Sequence, residues 1–195
     1  MEQSSIGVAS GMAASGKIPF VSSYAIFSPG RNWEQIRTTV CYNDRKVVIA
    51  GSHAGVSVGP DGGTHQAIED IAIMRVIPNM VVLTPCDAIE ARKATLAAAN
   101  ISKSVYIRLA REKTPVITKE ETPYEIGKAQ IMYRPIEAPI KMGIISCGSL
   151  TYNSIMAARE LEGEGIGVVV MHLGTIKPID GEAIVALARE CGMVV

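Results

Sequence analysis

Apolar positions along the chain fall in short runs, and helical and extended periods alternate regularly through residue 110. The first stretch, "MEQSSIGVASGMAAS", is rich in small residues and reads as a closely packed helix stopped by Gly16. "KIPFVSSYAIF" then reads as a strand, and "NWEQIRTTVCY" as a helix with Trp33, Ile36 and Val40 on one face. "KVVIAGS" is a continuous apolar run bounded by charge and glycine, the pattern of a strand buried on both faces. After a glycine-rich loop, "AIEDIAIMRVI" places Ile68, Ile71, Ala72 and Arg75 in helical register. Strand "MVVLTP", helix "DAIEARKATLAAAN" with Asp87 as N-cap, and strand "SVYIRLA" follow. Residues 112–140 carry four prolines and mixed charge, predicting an ordered linker with "GKAQIMYR" as one short strand. From residue 141 the alternation resumes as strand "MGIISCG", helix "TYNSIMAARELEGEG", strand "GVVVMHL" and helix "GEAIVALARECG".

This order predicts an α/β protein with a mostly parallel sheet and helices on both faces. It divides into a first domain over 1–111, a linker over 112–140, and a second, smaller and incomplete α/β domain over 141–195. The ends read as cut, since Met193-Val194-Val195 looks like the start of a strand. A fragment, or the ordered part of a longer chain, is expected, with the first domain lacking its N-terminal part.

Charge changes the picture only by exclusion. Nineteen basic and nineteen acidic residues cancel, and no basic stripe interleaves with aromatics, so nucleic acid is not an expected partner. No apolar run is long enough to span a bilayer, and the chain reads as a cytoplasmic protein without a membrane partner. Cys41, Cys86, Cys147 and Cys191 stand far apart without a C-x-x-C pair, which predicts reduced, mostly buried thiols.

In a parallel sheet, ligands collect outside the carboxyl ends of the strands. His53 follows "KVVIAGS", Arg111 follows "SVYIRLA", and Tyr24 and Phe27 close the first strand, so four recognition-capable side chains converge on one rim. The loop "HAGVSVGPDGGTHQ" lies over that rim, with Asp61 and His65 in it, and is expected to cap the next helix. There is no G-x-G-x-x-G, no Walker lysine and no G-x-S-x-G, which argues against a nucleotide cradle or a serine hydrolase. Metal ligation by His53, Asp61 and His65 is weakly supported, because no second carboxylate cluster joins them, and no metal ligand is expected on this chain. Each residue also has a bland reading. Asp61 suits a tight turn, Arg111 could pair with Glu112 on the surface, and Glu2 could be a solvated first-turn carboxylate.

The stretches "EQSSIGVASGMA", "SHAGVSVGPDGGTHQAIEDIAIMR", "IPNMVVLTPCDAIEARKA", "YIRLARE" and "TIKPID" resemble the transketolase family, specifically its pyrimidine-binding domain and the start of its C-terminal domain. The resemblance covers nearly the whole chain and looks like the C-terminal half of a split thiamine diphosphate enzyme. It implies ketol transfer between sugar phosphates, with Mg2+ or Ca2+ and the cofactor's diphosphate bound mainly by an N-terminal partner chain. A homodimer or a heterotetramer is implied, and the isolated chain is expected to be inactive. By the same resemblance, Glu2 holds a proton shared with the cofactor's pyrimidine ring and must be poorly solvated to do so. Tyr24 and Phe27 pack on that ring, His53 and His65 shuttle protons, Asp61 and His65 bind the sugar, and Arg111 holds its phosphate. His172 has no implied role and reads as structural. Deoxyxylulose-phosphate synthase shares the "DGxTHQ" loop and the cofactor, but that family is expected to carry an arginine at the position of His53 and a helix after the loop that differs from "AIEDIA". A non-catalytic regulatory or assembly chain is the alternative of a different class.

Overall fold

Val48–Ser52 forms β2, the strand on which the first part of the molecule is built. In the computed structural model, which describes residues 1–195, β2 lies between β1 (Phe20–Tyr24) and β4 (Ser104–Arg108). Strand β3 (Met80–Leu83) pairs with β4 on its far side, and all three pairings are parallel. Val48, Ile49, Val82, Leu83, Val105 and Ile107 are buried, so the central strands are covered on both faces, as their unbroken apolar runs require. The register sets Tyr24 opposite Ser52 and Gly51 opposite Arg108, so the three strands end together and their following residues share one rim.

Helices α1 (Glu2–Ala14), α2 (Trp33–Gln35), α3 (Asp70–Arg75) and α4 (Ala88–Asn100) accompany this sheet. The expected single helix at "NWEQIRTTVCY" starts as α2 and continues as a π-helix over Ile36–Cys41. The Thr38 hydroxyl donates to the Glu34 carbonyl at 3.0 Å, the kind of back-bond that loosens a helical ladder. The Trp33 indole donates to the Ile73 carbonyl at 2.7 Å and pins this segment to α3. Close packing along the small residues of α1 is confined to Ile6, Ala9 and Ser10, and Gly7 and Gly11 face open space.

The chain divides into two units, residues 1–83 with 91–113, and residues 84–90 with 114–195. In the second, β5 (Gln130–Tyr133) and β6 (Ile140–Ser146) flank β7 (Gly167–His172), β5 antiparallel and β6 parallel. Helix α5 (Leu150–Gly163) sends Ile155 and Ala158 against Val168 and Val170 of β7. Helix α6 (Gly181–Cys191) sends Leu187 and Cys191 against Val169 and Met171 on the other face. The period of two along a strand thus divides one valine-rich run between two helices. Gly143 of β6 lets α6 approach, since a Cβ there would stand 3.0 Å from Leu187. A short strand β8 (Thr175–Lys177) precedes α6, which is capped by Asp180 accepting from the Ala183 amide. Met193–Val195 runs parallel beside β6, with the Ile145 amide donating to the Val195 carbonyl at 2.8 Å. None of the four cysteines is in a disulfide, and three of them are buried. No helix is long and apolar enough to cross a membrane.

The segment 84–90 is tied into the second unit by Asp87. Its Oδ1 accepts from the Glu90 amide at 2.9 Å, making it the predicted N-cap of α4, and from the Thr118 hydroxyl at 2.8 Å. Its Oδ2 accepts from the Ile117 and Thr118 amides. Burial works against the charge, but these hydrogen bonds outweigh it and hold the Asp87 pKa below its ordinary value. A carboxyl depressed in the folded state stabilises above its unfolded pKa of about 3.9, and that contribution disappears as pH falls through the folded value. Asp87→Ala is therefore expected to cost about 2–3 kcal/mol at pH 7 by leaving a cap and buried donors unpaired. Urea unfolding should show this cost shrinking as pH falls below about 4. An equal cost at both pH values would remove the charge of Asp87 from the account.

Candidate active site

The rim at the ends of β1 and β2 is lined by rings. The Tyr24 and His53 rings stack with centroids 3.9 Å apart and planes 9° off parallel. Phe27 lies 6.0 Å from Tyr24, nearly parallel to it, and His65 meets Phe27 edge-on at 5.3 Å. His53 takes this place only by adopting a left-handed φ of 56°, a conformation unfavourable by about 1–2 kcal/mol for a residue with a Cβ. The Tyr24 stack and a 3.0 Å hydrogen bond between its Nδ1 and the Ser52 hydroxyl hold it there. Ser52 spends its one proton on the Ser23 carbonyl at 3.2 Å, so its oxygen must accept from His53. In the neutral ring this hydrogen bond puts the proton on Nδ1 and makes Nε2 the acceptor.

The glycine-rich loop is neither strand nor α-helix. It runs as a 3-10 segment over Val56–Asp61, kinked at Gly59 (φ 64°), then a second over Gly63–His65. Its base is closed by the Gly55 amide donating to the Ala67 carbonyl at 2.8 Å. The expectation that the loop caps the next helix is not met. Helix α3 begins at Asp70 with Glu69 as N-cap, because the left-handed glycines and Pro60 route the chain away from helical geometry before that point. Thr64 instead bonds its hydroxyl to His65 Nδ1 at 2.9 Å. The Arg111 guanidinium reaches back and donates to the Val58 carbonyl, fastening the loop to the end of β4. Asp61 stands exposed at the end of the first 3-10 segment, outside the ring cluster.

Beneath the loop, Asp70 accepts from the Tyr106 hydroxyl at 2.7 Å and from Arg108 Nε at 2.9 Å. Burial and the neighbouring Asp70 charge push the Tyr106 phenol well above its usual pKa. The Arg108 guanidinium lies so close to Gly55 that a Cβ there would be 3.1 Å from it, at a backbone φ of 84° that already favours glycine. This trio was not foreseen. Its only trace in the sequence is a charged residue on the inward side of an apolar helix.

Glu2 is joined to the rings through one residue. Its Oε2 lies 3.9 Å from Arg31 Nη1, and the Arg31 guanidinium sits 4.2 Å over the Phe27 ring. The Glu2 side chain keeps 23% of its exposure, so it is more solvated than the enclosed acid expected from the resemblance. The reason is local: the first turn of α1 is covered on one side only, with Ser4 and Ser5 exposed. Asn32 anchors that turn, donating to the Glu2 carbonyl at 3.2 Å and to the Ser28 hydroxyl at 3.0 Å, with its own Oδ1 buried and unpaired. Arg31, Asn32 and Ser52 were thus missed as site residues. Tyr24, Phe27, His53 and His65 come together, Glu2 and Arg111 are linked to them through Arg31 and the loop, and Asp61 stands apart.

A parallel α/β sheet with aromatic and imidazole rings gathered at the carboxyl ends of its strands places them where ligands collect in folds of this class. Residues 1–116 match the family "Transketolase, pyrimidine binding domain", and residues 140–195 match "Transketolase, C-terminal domain". The chain belongs to the transketolase family, as the resemblance implied. It is 42% identical over 185 residues to a putative transketolase C-terminal section of Methanocaldococcus jannaschii, covering 94% of this chain and 57% of that protein. It is 37% identical to the 6-deoxy-6-sulfo-D-fructose transketolase subunit of Clostridium sp. (strain MSTE9), covering 100% of this chain and 59% of that one. A solved structure described as a split gene transketolase, inactive beta4 tetramer, superposes with a TM-score of 0.89 at 41% identity, covering 100% of this chain and 61% of that chain. The chain therefore spans about three-fifths of the length of these relatives.

Proposed function

We propose that this chain is the C-terminal subunit of a split transketolase that moves a two-carbon ketol unit between sugar phosphates. It works with thiamine diphosphate and an N-terminal partner chain that holds the diphosphate with Mg2+ or Ca2+. The observation that carries the reading is the ring cluster at the rim, with His53 Nε2 left as an acceptor, inside a domain that matches the pyrimidine-binding family. The residues present fit the cofactor's aminopyrimidine. Phe27 offers a ring face now covered by Arg31, which rests there without a buried hydrogen bond, and Glu2 offers an acceptor on the same side. When bound, thiamine diphosphate supplies the carbon nucleophile that takes up the two-carbon unit.

The chain's own residues do the rest. Glu2 holds a proton at its carboxylate, shared with a ring nitrogen, and its remaining exposure is removed by the partner chain. His53 Nε2 takes a proton from a sugar hydroxyl and returns it, and His65 does the same from the other side of the loop. Asp61 accepts from a substrate hydroxyl. Arg111 spends one N–H on Val58 and keeps the rest of its fork for the sugar's phosphate. The split-gene relative described as an inactive β4 tetramer supports inactivity of such a chain by itself.

The test is reconstitution. The chain alone should show no ketol transfer from xylulose 5-phosphate to ribose 5-phosphate, and activity should appear on adding an N-terminal partner, thiamine diphosphate and magnesium. Turnover without the partner, or turnover of pyruvate with glyceraldehyde 3-phosphate in its place, would overturn the assignment.

A further inference from the structure

Away from the rim, the second unit encloses three metal-ligating side chains drawn from distant parts of the sequence. Cys86 lies before α4, Glu90 in its first turn and His172 at the end of β7. The thiol sulfur, a carboxylate oxygen and an imidazole nitrogen all lie within 4.8 Å of one another, and the residues are 2%, 2% and 0% exposed. We propose that Cys86, Glu90 and His172 form a binding site for one thiophilic divalent cation of the zinc class, which locks segment 84–90 to β7. The inference does not depend on the proposed ketol transfer.

An unpaired oxygen points to the ligand. Glu90 Oε2 accepts from the Cys86 amide at 2.6 Å and from His172 Nε2 at 2.8 Å, whereas Glu90 Oε1 is buried without any hydrogen-bond partner. Buried polar atoms are rarely left unpaired, and an unpaired carboxylate oxygen beside a thiol and an imidazole asks for a cation. Both Glu90 oxygens, Cys86 Sγ and His172 Nε2 make four donors, the number zinc prefers. Gly174 keeps this place open, because a Cβ there would lie 2.7 Å from Oε1 and 3.2 Å from Nε2.

Charge balance favours the same ion. A cysteine ligates a metal as the thiolate, so the Cys86 thiol gives up its one proton on binding. A divalent ion replaces that proton, and one thiolate, one carboxylate and one neutral imidazole then sum to zero with it, the net charge a dry interior tolerates. The outer contacts suit a ligating imidazole. His172 Nδ1 is 2.9 Å from the Thr151 hydroxyl oxygen, which also receives a hydrogen bond from Ser146 at 3.1 Å. With Nε2 on the metal, Nδ1–H donates to Thr151, whose two lone pairs serve both donors. Magnesium and calcium are poor occupants, since sulfur and nitrogen donors do not match oxygen-seeking ions.

The experiment is to unfold the full chain in denaturant with reductant and refold it with one equivalent of zinc, of cobalt(II), or with chelator. The expected result is one zinc per chain retained after dialysis, and a higher unfolding midpoint than in the chelated protein. The cobalt form should show a thiolate-to-cobalt charge-transfer band with tetrahedral visible absorption. Cys86→Ser should abolish the charge-transfer band, and His172→Gln should abolish retention. A natively folded wild-type chain that retains no stoichiometric zinc and shows no cobalt–thiolate band overturns the site, whether or not the variants fold. Metal retained equally by Cys86→Ser places it elsewhere and also overturns it.

Discussion

Replacing Glu2 by Gln in the reconstituted assembly is expected to lower the turnover of ketol transfer by about 10²–10⁴-fold, the range for loss of a positioned acid–base group. The substitution keeps the shape of the side chain and removes only its charge and its capacity to hold a proton. Its cost to folding is small. The contact with Arg31 is a 3.9 Å, partly solvated ion pair, and such pairs contribute under about 1 kcal/mol. Arg31 also retains the Phe27 ring face 4.2 Å away, so the wall of the site does not collapse when the charge is lost. The α1 turn stays anchored through the Glu2 main-chain carbonyl, which Asn32 holds regardless of the side chain. The unfolding midpoint of the Gln variant should therefore match the parent while kcat falls and the KM for the sugar changes little. A kcat within about threefold of the parent would remove Glu2 from the mechanism.

The rim was legible in the sequence because parallel strands that end in register must present their following residues together. Once "KVVIAGS" and "SVYIRLA" are read as neighbouring strands, His53 and Arg111 fall on the same edge without further assumption. Runs such as "GVVVMHL" were equally plain, since an uninterrupted valine stretch has no stable place except between two covered faces. What escaped was set by contacts with no local period. The glycine loop carries no hydrophobic pattern to distinguish two 3-10 segments from a helix cap. Strand β8, three residues long, is too short for alternation to register. His172 read as an inert residue inside a strand because its partner, Glu90, is 82 positions away. The solvation of Glu2 depends on what covers the start of α1, which no pattern within α1 reports.

Asp70 is the position where loss of one atom group should cost the first unit most. The carboxylate is 2% exposed and is the shared acceptor of the Tyr106 hydroxyl and the Arg108 guanidinium. Asp70→Ala would strand a fully buried phenol and a three-quarters-buried cation at once. Breaking a buried pair from one side costs about 3–5 kcal/mol, most of it the charge left behind. The partial exposure of Arg108 lets water reach its outer nitrogens, which moves the expectation to the lower end of that range, about 3 kcal/mol. Tyr106→Phe removes one hydrogen bond but leaves the ion pair, so about 1 kcal/mol is expected. The origin of the larger cost can be separated by a double substitution. Asp70→Ala with Arg108→Met should recover much of the loss, because the unpaired charge is gone, whereas a cavity effect would persist. Urea unfolding of the parent, Asp70→Ala, Arg108→Met and the double variant measures the coupling directly. If Asp70→Ala unfolds with a midpoint equal to that of Tyr106→Phe, the carboxylate is not the keystone of the loop's support. If it does not, the effect should extend to the rim. Arg108 backs Gly55, and Gly55 closes the loop that carries His53 and His65 through its bond to Ala67. A loss of stability there without contact to any ring would then be accompanied by looser amide protection at Gly55 and Ala54, where hydrogen exchange can read it.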